Sequence, residues 1–343
     1  MNLPIVPPYP PMEARTVERI PVGDNWQYEP KWDGFRCLVF RDGGEVYIQS
    51  KAEKPLGRYF PEVEAAVLAL DAPRFVFDGE IVIPVGGVLS FEALLQRIHP
   101  AASRVQKLSR EIPAMVLVFD LLVDDGKNLA ELPLRDRRQH LETFADRILG
   151  DRDIRLSPAT TDIKVANQWL TDVRGGLDGV IAKRLDMPYQ SGERTGMQKI
   201  KRLRTADCVV GGFRYGTNSR EVGSLLLGLY DEAGLLHHVG FTSGIKAADR
   251  AALTKTLEKH IREPGFTGRA PGGPSRWSTE RSDQWVPLAP DLVVEVQYDH
   301  FSEGRFRHGT RFLRWRPDKD PRQCTFEQVA RQGRPSLRLL DET

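Results

Sequence analysis

Lys31 stands in the stretch Lys31-Trp32-Asp33-Gly34-Phe35-Arg36, between Tyr28-Glu29-Pro30 and the apolar run Cys37-Leu38-Val39-Phe40. A lysine at the edge of a strand, with an acid two residues on and a glycine after it, is a candidate covalent nucleophile. An amine attacks only when deprotonated, so such a site is expected to lower its pKa by burial or by neighbouring cations. Taken alone, the same residues read equally well as a surface turn between two strands. The difference lies in whether the rest of the chain supplies what the amine needs.

Five more short stretches follow: Gln49-Ser50-Lys51, Phe77-Asp78-Gly79-Glu80, Val118-Phe119-Asp120, Asp178-Gly179-Val180-Ile181-Ala182-Lys183 and Lys199-Ile200-Lys201. A seventh, Arg314-Trp315-Arg316-Pro317-Asp318-Lys319, lies near the end of the chain. Each has a plain structural reading. Glu80 can be a solvated acid at a strand end and Phe119 ordinary core. Lys199 and Lys201 can protect a strand edge, Asp178-Gly179 can be a turn, and the basic run from Arg305 to Lys319 can be a solvated face. Independent accidents in this order are far rarer than any one of them.

Around these stretches the chain alternates helix and strand signals. Trp26–Lys31, Arg36–Arg41 and Glu45–Gln49 read as a meander, with Asp42-Gly43-Gly44 as the hairpin turn. Phe75–Ile83, the apolar run Ala114–Val123, Leu177–Lys183 and Met197–Lys201 read as strands, and Pro61–Leu70, Phe91–Ile98, Leu134–Phe144 and Val165–Arg174 as helices. Residues 1–22, with five prolines between Met1 and Pro11, read as an extended arm on the first domain. After Thr205 the chain turns strand-rich and glycine-punctuated. Five short strands and one helix, Ala247–Arg262, suit a partly open β-barrel of the OB type, with residues 264–286 as a long exposed loop.

Composition limits the alternatives. The 343 residues suffice for two cores, and 40% hydrophobic with 28% charged residues is an ordinary globular balance. A net charge of +2 excludes a uniformly basic coat but not a local basic groove. Cys37, Cys208 and Cys324 are far apart, form no CxxC pair, and exclude a four-cysteine zinc site. With no secretory signal at the N-terminus and no apolar run of membrane-spanning length, the expected location is the cytoplasm, in contact with the nucleoid and without membrane attachment.

The seven stretches, taken in order, resemble the covalent nucleotidyltransferase superfamily, and specifically the ATP-dependent DNA ligases of the short bacterial ligase C type. The resemblance runs from about Pro4 to Arg322. It implies an α+β architecture: a nucleotidyltransferase (adenylation) domain of antiparallel sheets flanked by helices, residues 1–205, then an OB-fold β-barrel domain, residues 206–343. It implies that Lys31 attacks the α-phosphate of ATP to form a lysyl-AMP phosphoramidate, with Mg2+ (or Mn2+) and lysines neutralising the developing charge. Glu80 and Asp178 resemble the metal-organising carboxylates. Lys199 and Lys201 resemble the lysines that reach the α-phosphate, with Lys183 a further phosphate contact. Arg36 resembles the ribose and phosphate ligand, Phe119 the aromatic stacked on adenine, and Glu29 the residue at the adenine amino edge. Arg316, Asp318 and Lys319 match the segment that orients pyrophosphate in the first step and then turns away.

Two departures from the family pattern stand out. Many relatives have arginine where Lys51 stands, so contact with the 5′-phosphate of a nick loses the planar fork and is looser or shared. Many have glutamate where Asp178 stands, and the shorter arm calls for a water between carboxylate and metal.

The charge pattern suits nicked double-stranded DNA as partner. Between Lys183 and Arg204 seven Lys/Arg face two acids, and the same holds between Arg305 and Arg322, where Arg305 and Arg307 are candidate DNA contacts beside Lys51 and Arg36. A monomer acting in strand-joining repair, recruited by a repair polymerase or end-binding protein, is the expectation. The alternatives are an mRNA-capping-type guanylyltransferase, which would use GTP, an RNA ligase, which usually lacks the OB domain, and a non-enzymatic OB-fold DNA-binding protein.

Overall fold

Met115–Asp124 is apolar on both faces, and a strand of that kind must be covered on both sides. In the computed structural model, which describes all residues except 150–152, 172, 175–176, 273–283, 331–333 and 342–343, that strand lies at the centre of the first of two compact units. The first unit comprises Met1–Arg202 with Arg331–Thr343, and the second Leu203–Ala330.

In chain order the first unit holds β1 (Arg15–Val17), β2 (Trp26–Trp32), β3 (Phe35–Asp42), β4 (Glu45–Ser50), α1 (Pro61–Ala69), β5 (Arg74–Val82), α2 (Phe91–Arg97) and α3 (Ala102–Glu111). There follow β6 (Met115–Asp124), α4 (Leu134–Ile148), β7 (Ile154–Leu156), α5 (Ile163–Thr171), β8 (Leu177–Arg184) and β9 (Met197–Lys201), with shorter pieces between them. One sheet has the order β1-β9-β8-β2 and the other β7-β6-β5-β3-β4, both antiparallel except for the parallel pairs β1–β9 and β7–β6.

Alternation along each strand explains the layering. Cys37, Val39, Phe75, Phe77, Val116 and Val118 point to one side and pack with Val63 and Val67 of α1, Leu94 of α2, and Leu141 and Phe144 of α4. Leu38, Phe40, Val76 and Leu122 point to the other side and meet Leu3, Ile5 and Met12 of the N-terminal arm. Leu117 and Val82 pack there against Tyr28, Val180 and Ile200 of the first sheet and Trp169 of α5. The arm is tied down as well as buried: Gln49 donates to the Tyr9 carbonyl at 2.7 Å and accepts from its N–H at 3.0 Å.

Residues 26–50 do not form a single meander. β3 and β4 make the expected hairpin, but β2 pairs with β8, and the turn Asp33-Gly34 carries the chain from one sheet to the other. A Cβ on Gly34 would lie 2.3 Å from the Ile81 carbonyl oxygen, so the turn is pressed onto β5 with no room for a side chain. Helix α3 has no counterpart in the sequence reading. It begins at Ala101 without a side-chain cap and has a short apolar stripe, Val105 and Leu108.

The second unit is built on β10 (Arg204–Tyr215), β11 (Val222–Tyr230), β12 (Leu236–Thr242), α6 (Ala247–Glu258), β13 (Val293–Tyr298) and β14 (Arg311–Trp315). Its antiparallel sheet has the order β12-β11-β10-β13-β14, with Val286–Pro287 added beside β10. The edges meet at one parallel bridge, Thr242 to Thr310, where the Thr242 hydroxyl donates to the Thr310 carbonyl at 3.0 Å. The result is a partly open barrel. Much of the expected loop 264–286, residues 273–283, lies outside the described residues.

The end of the chain, expected in the second domain, is grouped with the first unit. Arg334–Pro335 pair in parallel with Val173–Arg174, Leu339 and Leu340 are buried in the core of the first sheet, and Arg155 donates to the Leu340 carbonyl at 2.8 Å. Burial of two adjacent leucines outweighs sequence proximity to the barrel. Among the described residues no helix is long and apolar enough to cross a membrane.

Candidate active site

The crossing from one sheet to the other aims Lys31. It is the last residue but one of β2, and its Nζ lies 2.9 Å from Asp178 Oδ2. Asp178 reaches it through a bulge: Leu177 pairs with Trp32 and Gly179 with Lys31, so Asp178 is the extra residue between them. A bulge re-aims the unpaired side chain. Gly179 makes this bulge possible, with φ of +154° and a Cβ position 1.8 Å from the Ile200 carbonyl oxygen.

A cleft of about 210 Å3 opens beside this pair, lined by Glu29, Lys31, Arg36, Lys51, Glu80, Phe119, Lys183 and Lys199 among others. These residues come from separate stretches of the first unit, and all were expected to serve one reaction. Lys201 shares the β9 face of Lys199 by alternation but does not line the cleft. Asp178 also stands outside the lining and touches it through Lys31.

The side chains form three linked groups. Around the buried Phe119 ring, Lys183 Nζ lies 4.6 Å and the Arg36 guanidinium 4.8 Å from the centroid. Lys183 is buried and pairs with Glu29 Oε2 at 2.8 Å, and Gln27 donates to the other Glu29 oxygen at 2.8 Å. The second group is Arg36, held by a two-pronged contact to Asp78 with both distances 2.6 Å, and by the Met12 carbonyl at 3.3 Å. Tyr189 adds its hydroxyl to Asp78 Oδ2 at 2.6 Å. The third is Lys31, Asp178 and Glu80, where Glu80 Oε1 accepts the Gly34 N–H at 3.1 Å.

Electrostatics qualify the expectation that the protein alone lowers the Lys31 pKa. Burial disfavours its charge, but the carboxylates of Asp178, Glu80 and Asp33 outweigh burial, and the net shift is upward. These carboxylates therefore favour the ammonium form of Lys31. Lys199 is shifted downward, by burial and then by the cations Lys31, Lys51, Lys201 and Arg194. Glu80 is pushed up to about 8 by burial, which Arg36 and Lys31 only partly offset.

A raised carboxyl pKa makes the native state hold more protons than the unfolded one between about pH 4.5 and 8. The contribution of Glu80 to stability is thus fully present below the ordinary carboxylate range and is lost as pH rises through 8. Glu80→Gln removes this titration. In metal-free buffer the variant should match the parent near pH 4.5 and gain on it steadily toward pH 8.5 in thermal melts. A difference independent of pH would contradict the assignment.

Glu80 and Asp178, whose carboxylates both act on Lys31, offer the hard oxygen donors that Mg2+ or Mn2+ takes.

The expected residues of the second unit form a cluster of their own. Arg316 donates to Asp207 of β10 at 2.9 Å and to Asp318 at 2.9 Å, and Lys319 Nζ lies 3.9 Å from Asp207. The Arg316 guanidinium holds the exposed Asp318 carboxyl at about 2. Arg305 is exposed on a two-residue hairpin pairing with Phe301–Ser302, and Arg307 is half-buried beside it.

Sequence reasoning missed Asp78, Tyr189, Gln27, Glu13 and Arg194. The signal for Asp78 was present, because a residue two before Glu80 on one strand shares its face. Tyr189 and Arg194 lie in an irregular stretch with no such periodicity.

Residues 11–201 match the family model described as ATP dependent DNA ligase domain, and residues 218–319 the one described as ATP dependent DNA ligase C terminal region. The chain is 46% identical over 347 residues to DNA ligase C2 of Mycolicibacterium smegmatis, covering 96% of each chain. It is 44% identical over 356 residues to DNA ligase C of Mycobacterium tuberculosis, covering 98% of each. A multifunctional non-homologous end joining protein, LigD of Mycobacterium bovis, is 32% identical across 88% of this chain and 37% of its own length. A solved structure from a study of Lig E DNA ligases shares the fold, with a TM-score of 0.55 at 17% identity over 90% of this chain and 99% of that one.

Proposed function

Because the chain belongs to the ATP-dependent DNA ligase family, we propose that Lys31 is the residue that carries AMP and that the cleft around Phe119 receives ATP. The family joins DNA at nicks through a lysyl-AMP intermediate. The observation that supports the residue assignment is the convergence on one cleft of Lys31, Glu80, Lys199, Phe119, Lys183 and Glu29.

In the first step the Lys31 Nζ lone pair attacks the α-phosphorus of ATP. The ammonium has first lost one proton to solvent; an N–P bond then forms, the bond to pyrophosphate breaks with its electron pair leaving on pyrophosphate, and a second N–H proton passes to solvent. Glu80 and Asp178 would hold a divalent cation, which when bound would offset the negative charge around Lys31 and on the phosphate oxygens. Lys199 faces the α-phosphate from the cleft wall, and Lys201, on the same face of β9 but outside the lining, adds its charge beside Lys199. Glu29 accepts from the adenine amino group, and Lys183 serves mainly to fix Glu29 and the face of Phe119 rather than to bind phosphate. Arg36 is pre-set by Asp78 and Tyr189 to meet ribose and phosphate. The 5′-phosphate of the nick then takes AMP from Lys31, and the 3′-hydroxyl attacks that phosphate with release of AMP.

In the second unit, we assign Arg316, Asp318 and Lys319 to the pyrophosphate-orienting role that their match to the family segment implies, and Arg305 and Arg307 to duplex-backbone binding. Strand joining in repair, as a cytoplasmic monomer brought to breaks by a polymerase or end-binding protein, is the cellular role we assign.

The test is sealing of a 5′-phosphorylated nick with ATP, GTP or NAD as the nucleotide. ATP alone should support it, with Mg2+ or Mn2+ required. Sealing or self-labelling with GTP would favour the capping-type reading, and DNA binding without sealing would favour the binding-module reading.

A further inference from the structure

We propose that residues 334–341, which follow the second unit in sequence but are built into the first, form a positioning segment for the Lys31–Asp178 pair. The inference rests on the reading of Lys31 as the residue that carries AMP.

Each member of the pair has a buried apolar neighbour. Trp32 follows Lys31, Leu177 precedes Asp178, and the two pair across β2 and β8. Both belong to one core cluster with Leu339 and Leu340. The same cluster holds Val82, two residues after Glu80 on β5, and Ile200, between Lys199 and Lys201 on β9. The strands that carry Lys31, Glu80, Asp178 and Lys199 thus each give an apolar neighbour to it. Leu339 and Leu340 are only 4% and 5% exposed, so cutting them back leaves a cavity rather than a surface notch.

Polar contacts fix the segment at both ends. Arg334–Pro335 pair in parallel with Val173–Arg174, the strand that leads toward Leu177 and the bulge. Among the described residues this is the only strand pairing that Val173–Arg174 make. At the other end Arg155 of β7 donates to the Leu340 carbonyl at 2.8 Å and meets the Asp341 carboxylate at 3.2 Å. Between the two ends, Ser336–Leu340 form a 3-10 helix that lies against Val88–Leu89, and Leu89 belongs to the same cluster.

The bulge depends on what holds its flanks. Asp178 is the extra residue, and an unpaired residue takes its direction from its neighbours. On one side Gly179 is pressed onto the Ile200 carbonyl. On the other, Leu177 is held by the cluster and by the strand before it. A cavity at Leu339 and Leu340 lets Trp32 and Leu177 shift, which re-aims Lys31 Nζ and the Asp178 carboxylate. A misplacement of about 1 Å at a reacting group costs on the order of a hundredfold in rate. The end of the cleft that receives the base is spared, because Glu29 and Lys183 lie further along β2 and β8, paired with Ile181 and Gln27.

The experiment follows AMP transfer to Lys31 in a single turnover of the full chain with ATP and Mg2+, below the melting temperature of every variant. Leu339→Ala combined with Leu340→Ala should lower the rate constant by roughly ten- to a hundredfold. The ATP concentration for half-maximal rate should change by less than about twofold. Leu339→Met with Leu340→Met keeps the volume and should restore most of the rate. Arg155→Met opens no cavity in the cluster and should slow transfer by roughly two- to tenfold. Leu141→Ala removes an equally buried leucine from the other side of the central sheet, and should leave the rate constant within about twofold of the parent's. A smaller labelled fraction at an unchanged rate constant, equal slowing by Leu141→Ala, or no recovery with methionine would overturn the proposal and leave the segment a source of stability only. AMP on another residue of the parent would instead overturn the reading of Lys31.

Discussion

Lys31→Arg will lose ATP-driven nick sealing by a factor of at least about 10^3, yet will still close a nick whose 5′-end already carries AMP. Arginine keeps a positive charge within reach of Asp178, so the ion pair seen at 2.9 Å has a substitute and the fold is not challenged. It cannot act as a nucleophile, because a guanidinium is never deprotonated in a protein. The last step needs the 3′-hydroxyl, the bound metal and the surrounding cations, but no free amine on Lys31. Equal loss on both substrates would mean that the substitution damaged the cleft as a whole. Retained sealing with ATP would place the nucleophile elsewhere.

Gly179→Ala is expected to be nearly as damaging by another route. At φ of +154° an L-residue is strained, and its Cβ would stand 1.8 Å from the Ile200 carbonyl, a backbone atom in a paired strand. Relief requires β8 and β9 to separate where Gly179 pairs with Lys201 and Val180 with Ile200. Strain and lost pairing together should cost about 3 kcal/mol or more. The melting temperature should fall by at least roughly 6 °C. Because the same glycine sets the bulge that aims Asp178 at Lys31, adenylylation should fall even at temperatures where the variant is folded. A variant with the parent's melting temperature would show that the bulge tolerates a side chain.

The residues with the clearest sequence signal were those on regular strands. Lys199, Glu80 and Phe119 each sit on a strand whose length and alternation were readable, so their convergence on one cleft followed from strand pairing. The apolar run Ala114–Val123 likewise announced a strand, and the structure covers it on both faces. The pairing of β2 with β8 was not readable, because short-range turn chemistry favours the neighbouring strand, and nothing local says that Gly34 is pressed onto the Ile81 carbonyl. Partners of charged groups were the least legible. Arg36 was visible as a candidate ligand, but its tie to Asp78 and Tyr189 joins residues 42 and 153 positions away. The protonation of Lys31 ran against first expectation for the same reason, since Asp178, Glu80 and Asp33 surround it only once the sheets are packed. The return of Leu339 and Leu340 to the first unit depends on space left in a core that the sequence does not display.

The account stands on Lys31 as the carrier of AMP, and the most direct measurement is the mass of the intact protein after incubation with ATP and Mg2+, followed by mapping of the modified peptide. The account predicts a gain of one AMP with ATP and none with GTP or NAD, a modified peptide containing Lys31, and no gain in Lys31→Arg. An AMP mapped to another lysine, or a gain that persists in Lys31→Arg, would contradict it.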